Sequence, residues 1–484
     1  MKPNFTNIIF LRLLSFCIFL FILRFTYIIS INGVNCNNNN NNNNLSSSNF
    51  CFFSKIPSSS QLPSHVDFNV LPNFRSSLEY EFYSSIFQDF ISHGFLSPNS
   101  SSFSLSKSHI IVLKDLGIHQ SFSLSSEISN NFHLPFSNHS FDFEFFHNFD
   151  FNSSIPLLGF SLEIARTLKP SGILVIHTEI KDLYAFNSIL ELFVFCDFIK
   201  VHDIPGFSPS IPSIREIILK KSSNPIHKID RKFQQCSVSE YKMQLIKNLE
   251  PLIEKEPLKP WITLKRNIRN VRYLTSMVDI RFKARYVYVD VGARSYGSSI
   301  GSWFNKRFPK QHKRFEIYAI EADKVFHGDF RAKKGVTLLP YAAWVRNETL
   351  FFEIGREPTK KIEENRGNRG MGRIQPVQSS VNFVGNVDKI RGFDFAEWLK
   401  SEFEERDFVV VKMDVEGTEF HLIPRLIETG ALCLIDEIFL ECHYNRWQKC
   451  CPGVRSPKYD KTYDQCLNLL SSLRERGVVV HQWW

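Results

Sequence analysis

Acidic residues stand at the ends of three apolar stretches in the second half of this 484-residue chain. Asp290 ends YVYVD, Glu321 ends FEIYAIE, and Asp414 ends DFVVVKMD with Glu416 two residues further on. Short apolar runs of this kind are typical of buried parallel strands. Ligands of open α/β sheets bind at the carboxyl ends of the strands. The pattern therefore predicts a polar site at one sheet edge.

The first of these strands leads into a turn that contains glycine, VDVGARSYGSSIG. Gly292 and Gly297 let the backbone approach a ligand closely. A helix predicted to begin near Ser299 offers free N–H groups to a carboxylate or phosphate. Glu321 ends the next predicted strand, where a carboxylate can accept hydrogen bonds from ribose hydroxyls.

The polar residues after the later strands have two interpretations each. Asp414 and Glu416 are either site residues or a turn and helix N-cap, with Glu419 favoured by the positive end of the helix dipole. His443 lies just past a predicted strand, in ECHYNRW. Imidazole titrates near neutrality, so His443 could be a general base, but a hydrogen-bonded structural histidine fits the sequence equally well.

Strand and helix signals alternate along residues 281–484, as a parallel α/β sheet requires. The predicted strands are YVYVDVG, FEIYAIEAD, VTLLPYAAWV, TLFFEIG, DFVVVKMDVEG, CLIDEIFLECHY and GVVVHQWW. Between Gly355 and Val387 lies a stretch rich in Gly, Arg, Asn and Lys, which we interpret as a disordered loop or a lid over the site. The predicted fold class is α/β, with a Rossmann-like domain at the C-terminus.

Residues 286–445 resemble the FkbM-type methyltransferases, a branch of the class I S-adenosylmethionine-dependent superfamily. VDVGARSYGSSIGSWF is similar to the glycine-rich first motif, IYAIEAD to the acidic second strand, and LLPYAAWV to the segment beside adenine. VVVKMDVEGTEFHLI resembles the D-V-E-G-x-E signature, the most specific part of the match, and IDEIFLECHY the strand after it. GFDFAEWL, KMDVEGTEF and FLECHYNRW also resemble a plant family of membrane-anchored methyltransferase-like proteins.

The resemblance implies S-adenosylmethionine as cofactor over an FkbM-like domain at 281–484. Asp414 and Glu416 would be catalytic residues that face the methyl-transfer pocket, where they position the acceptor or accept its proton. Arg294 departs from the family, which has a small or amide residue there; it could pair with the cofactor carboxylate or crowd the site. The implied cofactor-binding residues are Asp290 at the base of the turn, Gly292, Ala293 and Gly297 against the methionine part, Glu321 on the ribose, and Ala342 and Ala343 beside adenine.

Residues 65–224 resemble the second half of an ordinary class I methyltransferase domain. LPFSNHSFDFEFF and EIARTLKPSGILVIHT are similar to two successive strand regions of that domain. Where a glycine-rich first motif is expected, only IIVLKDLGIHQ is found, with the single glycine Gly117. We interpret this part as a degenerate methyltransferase-like domain that packs on the active half or recognises substrate, followed by a helical linker over residues 225–280.

Residues 8–31 are apolar over a length that can cross a membrane as a helix. Arg12 and Arg24 interrupt the run, and a cleaved signal peptide or a mitochondrial address are the alternatives. A signal anchor over residues 1–31 predicts a single-pass type II membrane protein, in which a disordered Asn/Ser-rich stem over 32–64 precedes a lumenal remainder. The predicted compartment is the Golgi, with secretion or the endoplasmic reticulum as alternatives.

Other features fit this placement. Cys450 or Cys451 could form a disulfide with Cys466 in an oxidising compartment, whereas the lack of paired C-x-x-C spacing argues against zinc, and no metal site is predicted. The net charge is +9, but no zinc finger, RNA-binding signature or sustained basic stripe is present, so nucleic acid is not a predicted partner. Sequons typical of a glycoprotein begin at Asn44, Asn99, Asn138, Asn152 and Asn347.

The predicted function is an O-directed methyltransferase that acts on a glycan or another hydroxyl-bearing acceptor in the secretory pathway. The alternative is a catalytically inactive methyltransferase-like scaffold or binding protein, which Arg294 and the degenerate first half favour. A glycosyltransferase is disfavoured, because no metal-binding D-x-D stands at a predicted strand end.

Overall fold

The computed structural model describes residues 74–124, 133–147, 157–223, 240–258, 274–356, 369–377, 385–448 and 453–483. The chain divides into two compact units, Met1–Val66 and Asp67–Trp484, and all of the described residues belong to the second. The predicted signal anchor and stem lie outside them. Among the described helices, none is long and apolar enough to cross a membrane.

Helices and strands alternate through the second unit. The α-helices are α1 (Leu78–Ser92), α2 (Lys107–Asp115), α3 (Leu157–Thr167), α4 (Leu183–Leu192), α5 (Glu240–Ile246), α6 (Asn305–Arg307), α7 (His327–Arg331), α8 (Phe395–Glu402), α9 (Glu419–Glu428) and α10 (Tyr463–Glu475). The strands are β1 (Ser102–Ser104), β2 (Ser121–Phe122), β3 (Phe141–Phe146), β4 (Leu168–Thr178), β5 (Cys196–Ser208), β6 (Ile211–Lys221), β7 (Tyr286–Val291), β8 (Glu316–Ile320), β9 (Val336–Leu339), β10 (Ala342–Trp344), β11 (Glu348–Arg356), β12 (Arg369–Gln375), β13 (Gly385–Asp394), β14 (Phe408–Met413), β15 (Glu437–Leu440) and β16 (Val479–Gln482). A π-helix spans Ile300–Phe304, and 3₁₀ helices span Thr275–Met277 and Ala431–Leu434.

The C-terminal half is built on a six-stranded sheet in the order β9-β8-β7-β14-β15-β16. Neighbouring strands are parallel throughout. In chain order the chain winds outward from β7 through β8 to β9, and then returns to β14 on the other side of β7. The strand order therefore reverses between β7 and β14, which is where doubly wound sheets bind their ligands.

The apolar sequences of β7 and β14 form a core on both faces of this sheet. Val289 and Val411 belong to a buried cluster with Leu399 of α8 and Leu422 of α9. The alternate residues face the other way: the Tyr288 ring stacks on a neighbouring phenylalanine of the π-helix at 3.8 Å between centroids. Burial on both faces explains why these strands read as continuous apolar runs.

A second sheet of four strands, β10-β13-β11-β12, lies between β9 and α8 in the chain. The prediction of a structureless loop between Gly355 and Val387 is wrong in part, because β12 and the start of β13 fall within it and both pair with β11. Gly372 of β12 lies under the Phe352 ring, where a Cβ would come within 2.2 Å of the ring. This glycine, from a stretch interpreted as a loop, thus lies within a strand and leaves room for the Phe352 ring. Residues 357–368 and 378–384 of the predicted loop lie outside the described residues.

The N-terminal half contains a sheet in the order β2-β1-β3-β4-β6-β5. The strands from β2 to β4 are parallel, whereas β6 runs antiparallel to both β4 and β5. The strands predicted from FDFEFF and GILVIHT are confirmed as β3 and part of β4.

In the N-terminal half, the segment IIVLKDLGIHQ, which stands where a glycine-rich first motif is expected, does not form a strand followed by a turn. IIVLKDLGIHQ forms most of α2, with Ile110, Val112 and Leu113 buried on one face. Gly117, at φ +90°, follows the end of this helix. The connection from β1 to α2 has Ser106 as N-cap, whose side chain accepts from the Ser108 amide. This connection contains no glycine.

Candidate functional site

The turn after β7 is held against the neighbouring strands. The amides of Gly292 and Ala293 donate to Ile320 O at 3.0 and 3.1 Å. Gly292 has φ +78°, and a Cβ there would lie 1.9 Å from Asp414 O. Both the backbone conformation and the close approach to Asp414 require glycine at this position.

Asp290 lies beneath the turn and is fully buried. It accepts a short hydrogen bond from the Ser299 hydroxyl, and its Oδ1 lies 3.4 Å from Lys412 Nζ. Burial raises the pKa of Asp290, an effect that the Lys412 charge opposes. Its contacts connect the start of the π-helix to β14, so Asp290 supports the turn from below.

Glu321 follows β8 and fixes the position of two backbone segments. Its Oε2 accepts from the Arg294 amide at 2.6 Å, and its Oε1 accepts from the Asp323 amide at 2.6 Å. Burial raises the pKa of Glu321 to about 7. Because each carboxylate oxygen has two lone pairs, both retain the capacity to accept a further hydrogen bond from a ligand.

A cavity opens at the carboxyl ends of these strands, where the strand order reverses. Six of the predicted site residues line it, namely Gly292, Glu321, Ala342, Ala343, Asp414 and Glu416. Apolar and aromatic side chains, including Phe326, Tyr341, Phe352 and Ile374, complete its wall. The sequence-based residues therefore converge on one space, although they are spread over 125 positions of the chain from 292 to 416.

Three predicted cofactor-binding residues occupy other positions. Asp290 and Ala293 are fully buried behind the turn. Gly297 is exposed, and a Cβ on it would meet no heavy atom within 4 Å. Arg294 lines the cavity, but its guanidinium lies 5.7 Å over the Phe326 ring and its side chain is exposed, so it does not fill the turn.

The segment after β14 is a strained turn, with Glu416 at φ +51° and Gly417 at φ +106°. Left-handed backbone at a residue other than glycine is uncommon and is often found at functional sites. The Glu416 side chain accepts from Lys458 Nζ at 2.5 Å and from the Tyr459 hydroxyl. The turn expected at Asp414 and Glu416 is present and Glu419 lies in the first turn of α9, but the N-cap of α9 is Thr418 and not Asp414 or Glu416.

His443 lies after β15, and its side chain is enclosed by carboxylates. Its amide and Nδ1 lie 2.6 and 3.2 Å from Oε1 of Glu419, which is fully buried. On the other side of the ring, Nε2 faces Asp414, Glu441 and Glu416 at 3.6, 3.8 and 3.9 Å. Burial alone would lower the pKa of His443, but Glu419 and the other carboxylates raise it to about 10.

Two charged residues of this site were not predicted. Lys412 is buried within β14, with Nζ 3.4 Å from both Asp290 Oδ1 and Asp414 Oδ2. Burial alone would lower its pKa, but the Asp290 and Asp414 carboxylates outweigh burial and raise it. Burial and, as the second cause, the negative charge of Asp414 raise the pKa of Glu441 to about 8. The sequence feature that could have revealed Lys412 is its position inside the apolar string VVVKM, since a buried lysine requires anionic partners.

A disulfide ties this region to α10, with a pairing that differs from the prediction. Cys466 is bonded to Cys442, and their Cα atoms are 5.9 Å apart. The prediction of Cys450 or Cys451 as its partner is therefore wrong; those two residues lie outside the described ranges. Cys442 stands between Glu441 and His443, so the disulfide fixes the strand end that carries both. Cys433 is also disulfide-bonded.

The chain matches the family model described as Domain of unknown function (DUF7870) over residues 246–350 and 373–484. Among curated proteins, no match is found. Similar solved structures include phosphoethanolamine N-methyltransferase 2 of Haemonchus contortus in complex with S-adenosyl-L-methionine, at 10% identity and a TM-score of 0.22, over 81% of this chain and 82% of that one. Another is a SAM-dependent methyltransferase of Aquifex aeolicus, at 19% identity and a TM-score of 0.18, over 25% of this chain and 66% of that one.

Proposed function

We propose that the cavity binds S-adenosylmethionine and that the protein is a methyltransferase of the class I type, closest in its motifs to the FkbM branch. One observation carries the proposal. Gly292, Glu321 and Asp414 follow three adjacent parallel strands, at the point where the strand order reverses, and line one cavity. Doubly wound sheets place nucleotide ligands at this point.

The shape and donors of the cavity fit the proposed cofactor. The absence of a Cβ at Gly292 lets the turn pack directly on Asp414 O, and both residues line the cavity. Glu321 retains lone pairs that can accept from ribose hydroxyls. Ala342 and Ala343 are buried small residues in the wall, where a flat adenine ring can approach the backbone. When bound, S-adenosylmethionine supplies an activated methyl group.

The proposed acceptor is a hydroxyl group, of a glycan or a similar molecule. Transfer breaks the methyl carbon–sulfur bond and forms a carbon–oxygen bond, while the hydroxyl proton passes to a base. Asp414 and Glu416 line the cavity and are the proposed catalytic residues, which orient the acceptor and take up its proton. Membrane anchoring through residues 8–31 and a type II Golgi location belong to the proposal; the disulfides at Cys442 and Cys433 favour an oxidising compartment.

Calorimetric titration of the full-length chain in detergent tests the cofactor. We expect S-adenosylmethionine and S-adenosylhomocysteine to bind with micromolar affinity, and the Gly292→Arg variant to lose both. NAD is the control ligand, because doubly wound sheets also bind dinucleotides. The proposal fails if the folded protein shows no binding at millimolar S-adenosylmethionine, or if NAD binds more tightly. Binding without methyl transfer to any hydroxyl-bearing acceptor would favour the alternative of an inactive scaffold.

A further inference from the structure

We propose that Asp414, Glu416 and His443 form a site for one divalent metal ion at the edge of the cofactor cavity. One ligand atom from each of these side chains lies within 4.8 Å of the other two. The three come from the ends of two adjacent strands, so their spacing in the sequence carries no metal motif. This explains why no metal site is expected from the sequence.

The contacts on the outer side of each ligand are those of a built site. His443 Nδ1 lies 3.2 Å from the buried Glu419 carboxylate, which leaves Nε2 toward the cluster. Glu416 uses Oε2 for Lys458 and Tyr459, and its Oε1 faces the imidazole. Metal-binding histidines commonly have such a carboxylate behind the ring, which fixes the tautomer and orientation.

Asp414 follows the same pattern. Its Oδ2 lies 3.4 Å from Lys412 Nζ, and its Oδ1 faces His443 Nε2 at 3.6 Å. Asp414 Oδ1, Glu416 Oε1 and His443 Nε2 therefore face one another, while the second polar atom of each side chain contacts another residue. His443 Nε2 belongs to a side chain with 7% exposure, and its closest carboxylate oxygens, at 3.6 to 3.9 Å, are beyond hydrogen-bond distance.

The distances leave room for an ion at the centre of the group. Two adjacent ligands at about 2.1 Å from an octahedral ion are about 3.0 Å apart. The separations of 3.6 Å from His443 Nε2 to Asp414 Oδ1 and 3.9 Å to Glu416 Oε1 are longer than this spacing, so the side chains would have to close in by about 1 Å or less around a bound ion. Glu441 Oε1 lies 3.8 Å from the same nitrogen but does not belong to the group of three whose ligand atoms lie within 4.8 Å of one another.

The donor set of two carboxylates and one imidazole suits Mn²⁺ or Mg²⁺ better than a thiolate-binding ion. Asp414 and Glu416 also line the cofactor cavity, so remaining coordination positions would be open to an acceptor oxygen. A metal-bound hydroxyl loses its proton more readily. With the ion bound, Asp414 and Glu416 would act as its ligands rather than as the base, and the proton would pass to water. This role for the ion rests on the proposed methyltransferase function, whereas the binding of the ion does not.

Titration of the full-length, chelator-treated protein with Mn²⁺ alone, followed by electron paramagnetic resonance, tests the site. We expect one ion per chain. His443→Asn keeps an N–H donor near Glu419 but removes Nε2, so Mn²⁺ affinity should fall by at least about tenfold. Asp460→Asn is the matched control, because that side chain is 88% exposed and lies outside the cluster. Thermal melting must show that each variant is folded.

Two outcomes would overturn the site: no Mn²⁺ binding by the folded wild-type protein at millimolar concentration, or equal affinity in His443→Asn and Asp460→Asn. Parallel titration with S-adenosylmethionine separates this inference from the proposed function. Cofactor binding without Mn²⁺ binding rejects the metal site alone. Mn²⁺ binding that depends on His443, without cofactor binding, supports the metal site and rejects the methyltransferase.

Discussion

Replacement of Gly292 by alanine tests whether the turn after β7 is a cofactor cradle. The residue has φ +78°, in the left-handed region, and the added Cβ would lie 1.9 Å from Asp414 O. Contacts below 3.0 Å are not tolerated against backbone. The turn and the end of β14 must therefore move apart by about 1 Å, and both line the cavity.

The magnitude follows from these two effects. An alanine in left-handed backbone costs about 1–2 kcal/mol, to which displacement of the turn adds. Because the unfolding entropy is about 2.1 cal/mol/K per residue, a loss of this size in a unit as long as Asp67–Trp484 lowers the unfolding midpoint by only about 1–2 °C. The loss of geometry has a larger effect on function, because a misplacement of about 1 Å can reduce a reaction rate by about 100-fold. Cofactor affinity should fall in the same variant, since the displaced backbone contributes to the cavity wall.

Gly297→Ala is the matched control, with the same chemical change in the same turn. A Cβ on Gly297 meets no heavy atom within 4 Å, and its φ is not positive. Thermal melts and calorimetry with S-adenosylmethionine on both variants provide the comparison. If Gly292→Ala and Gly297→Ala bind the cofactor equally well, the turn is not the cradle and the proposed cofactor geometry is wrong.

Three further predictions concern stability. The buried Lys283 side chain pairs with Glu191 at 2.8 Å between the two halves, and Lys283→Met should cost about 3–5 kcal/mol in urea unfolding. Lys400, whose side chain is 24% exposed and pairs with the exposed Glu397, should cost under about 1 kcal/mol when replaced by Met, and equal losses in the two variants would contradict the prediction. Burial alone would lower the pKa of His481, but its hydrogen bonds to Glu250 and Glu437 raise the pKa to about 9. The protonated imidazole therefore stabilises the fold by about 3 kcal/mol, fully below about pH 6.5, and this stabilisation is lost as the pH rises through 9. A free energy of unfolding that does not change with pH in the wild type, or the same pH dependence in His481→Asn, would refute the prediction. Cys442→Ser should destabilise the protein by about 2–5 kcal/mol, and an unchanged melting temperature would exclude a structural role for that disulfide.

The apolar runs predicted most strands of the C-terminal parallel sheet, because parallel strands buried on both faces have continuous apolar sequences. The placement of VTLLPYAAWV and TLFFEIG in the same sheet was wrong in part. VTLLPYAAWV is divided into β9 and β10, and β10 and β11 belong to the four-stranded sheet, where β11 is antiparallel to its neighbours. The strands predicted from YVYVDVG, FEIYAIEAD and DFVVVKMDVEG are confirmed as β7, β8 and β14. The local sequence pattern gave the wrong secondary structure where tertiary packing decides it. Gly372 belongs to the stretch interpreted as a loop, yet it lies in β12, where the Phe352 ring occupies the space that a side chain would take.

The sequence predicted much of the cavity lining, whereas the charged contacts of Lys412, Glu441 and His443 around it could not be predicted. Asp414 and Glu416 end a strand that can be recognised, and so could be placed at the sheet edge from the sequence. His443 could not be placed, because its role depends on Glu419, Glu416 and Asp414, which reach it from another strand end and from α9. Contacts of this kind depend on strand order, and strand order is not encoded in a local motif.

The two halves of the second unit show which feature of the sheet creates the cavity. Both contain parallel strands followed by helices, yet the connection after β1 begins α2 with a serine N-cap, whereas that after β7 has Gly292 in left-handed backbone against the neighbouring strand. A serine cap satisfies the first amides of a helix internally, which withdraws them from a ligand. The glycine turn instead brings its backbone to the edge of the cavity, where Glu321 and Asp414 also end. A parallel sheet alone is therefore insufficient, and the cofactor site is expected where a glycine turn coincides with acidic strand ends.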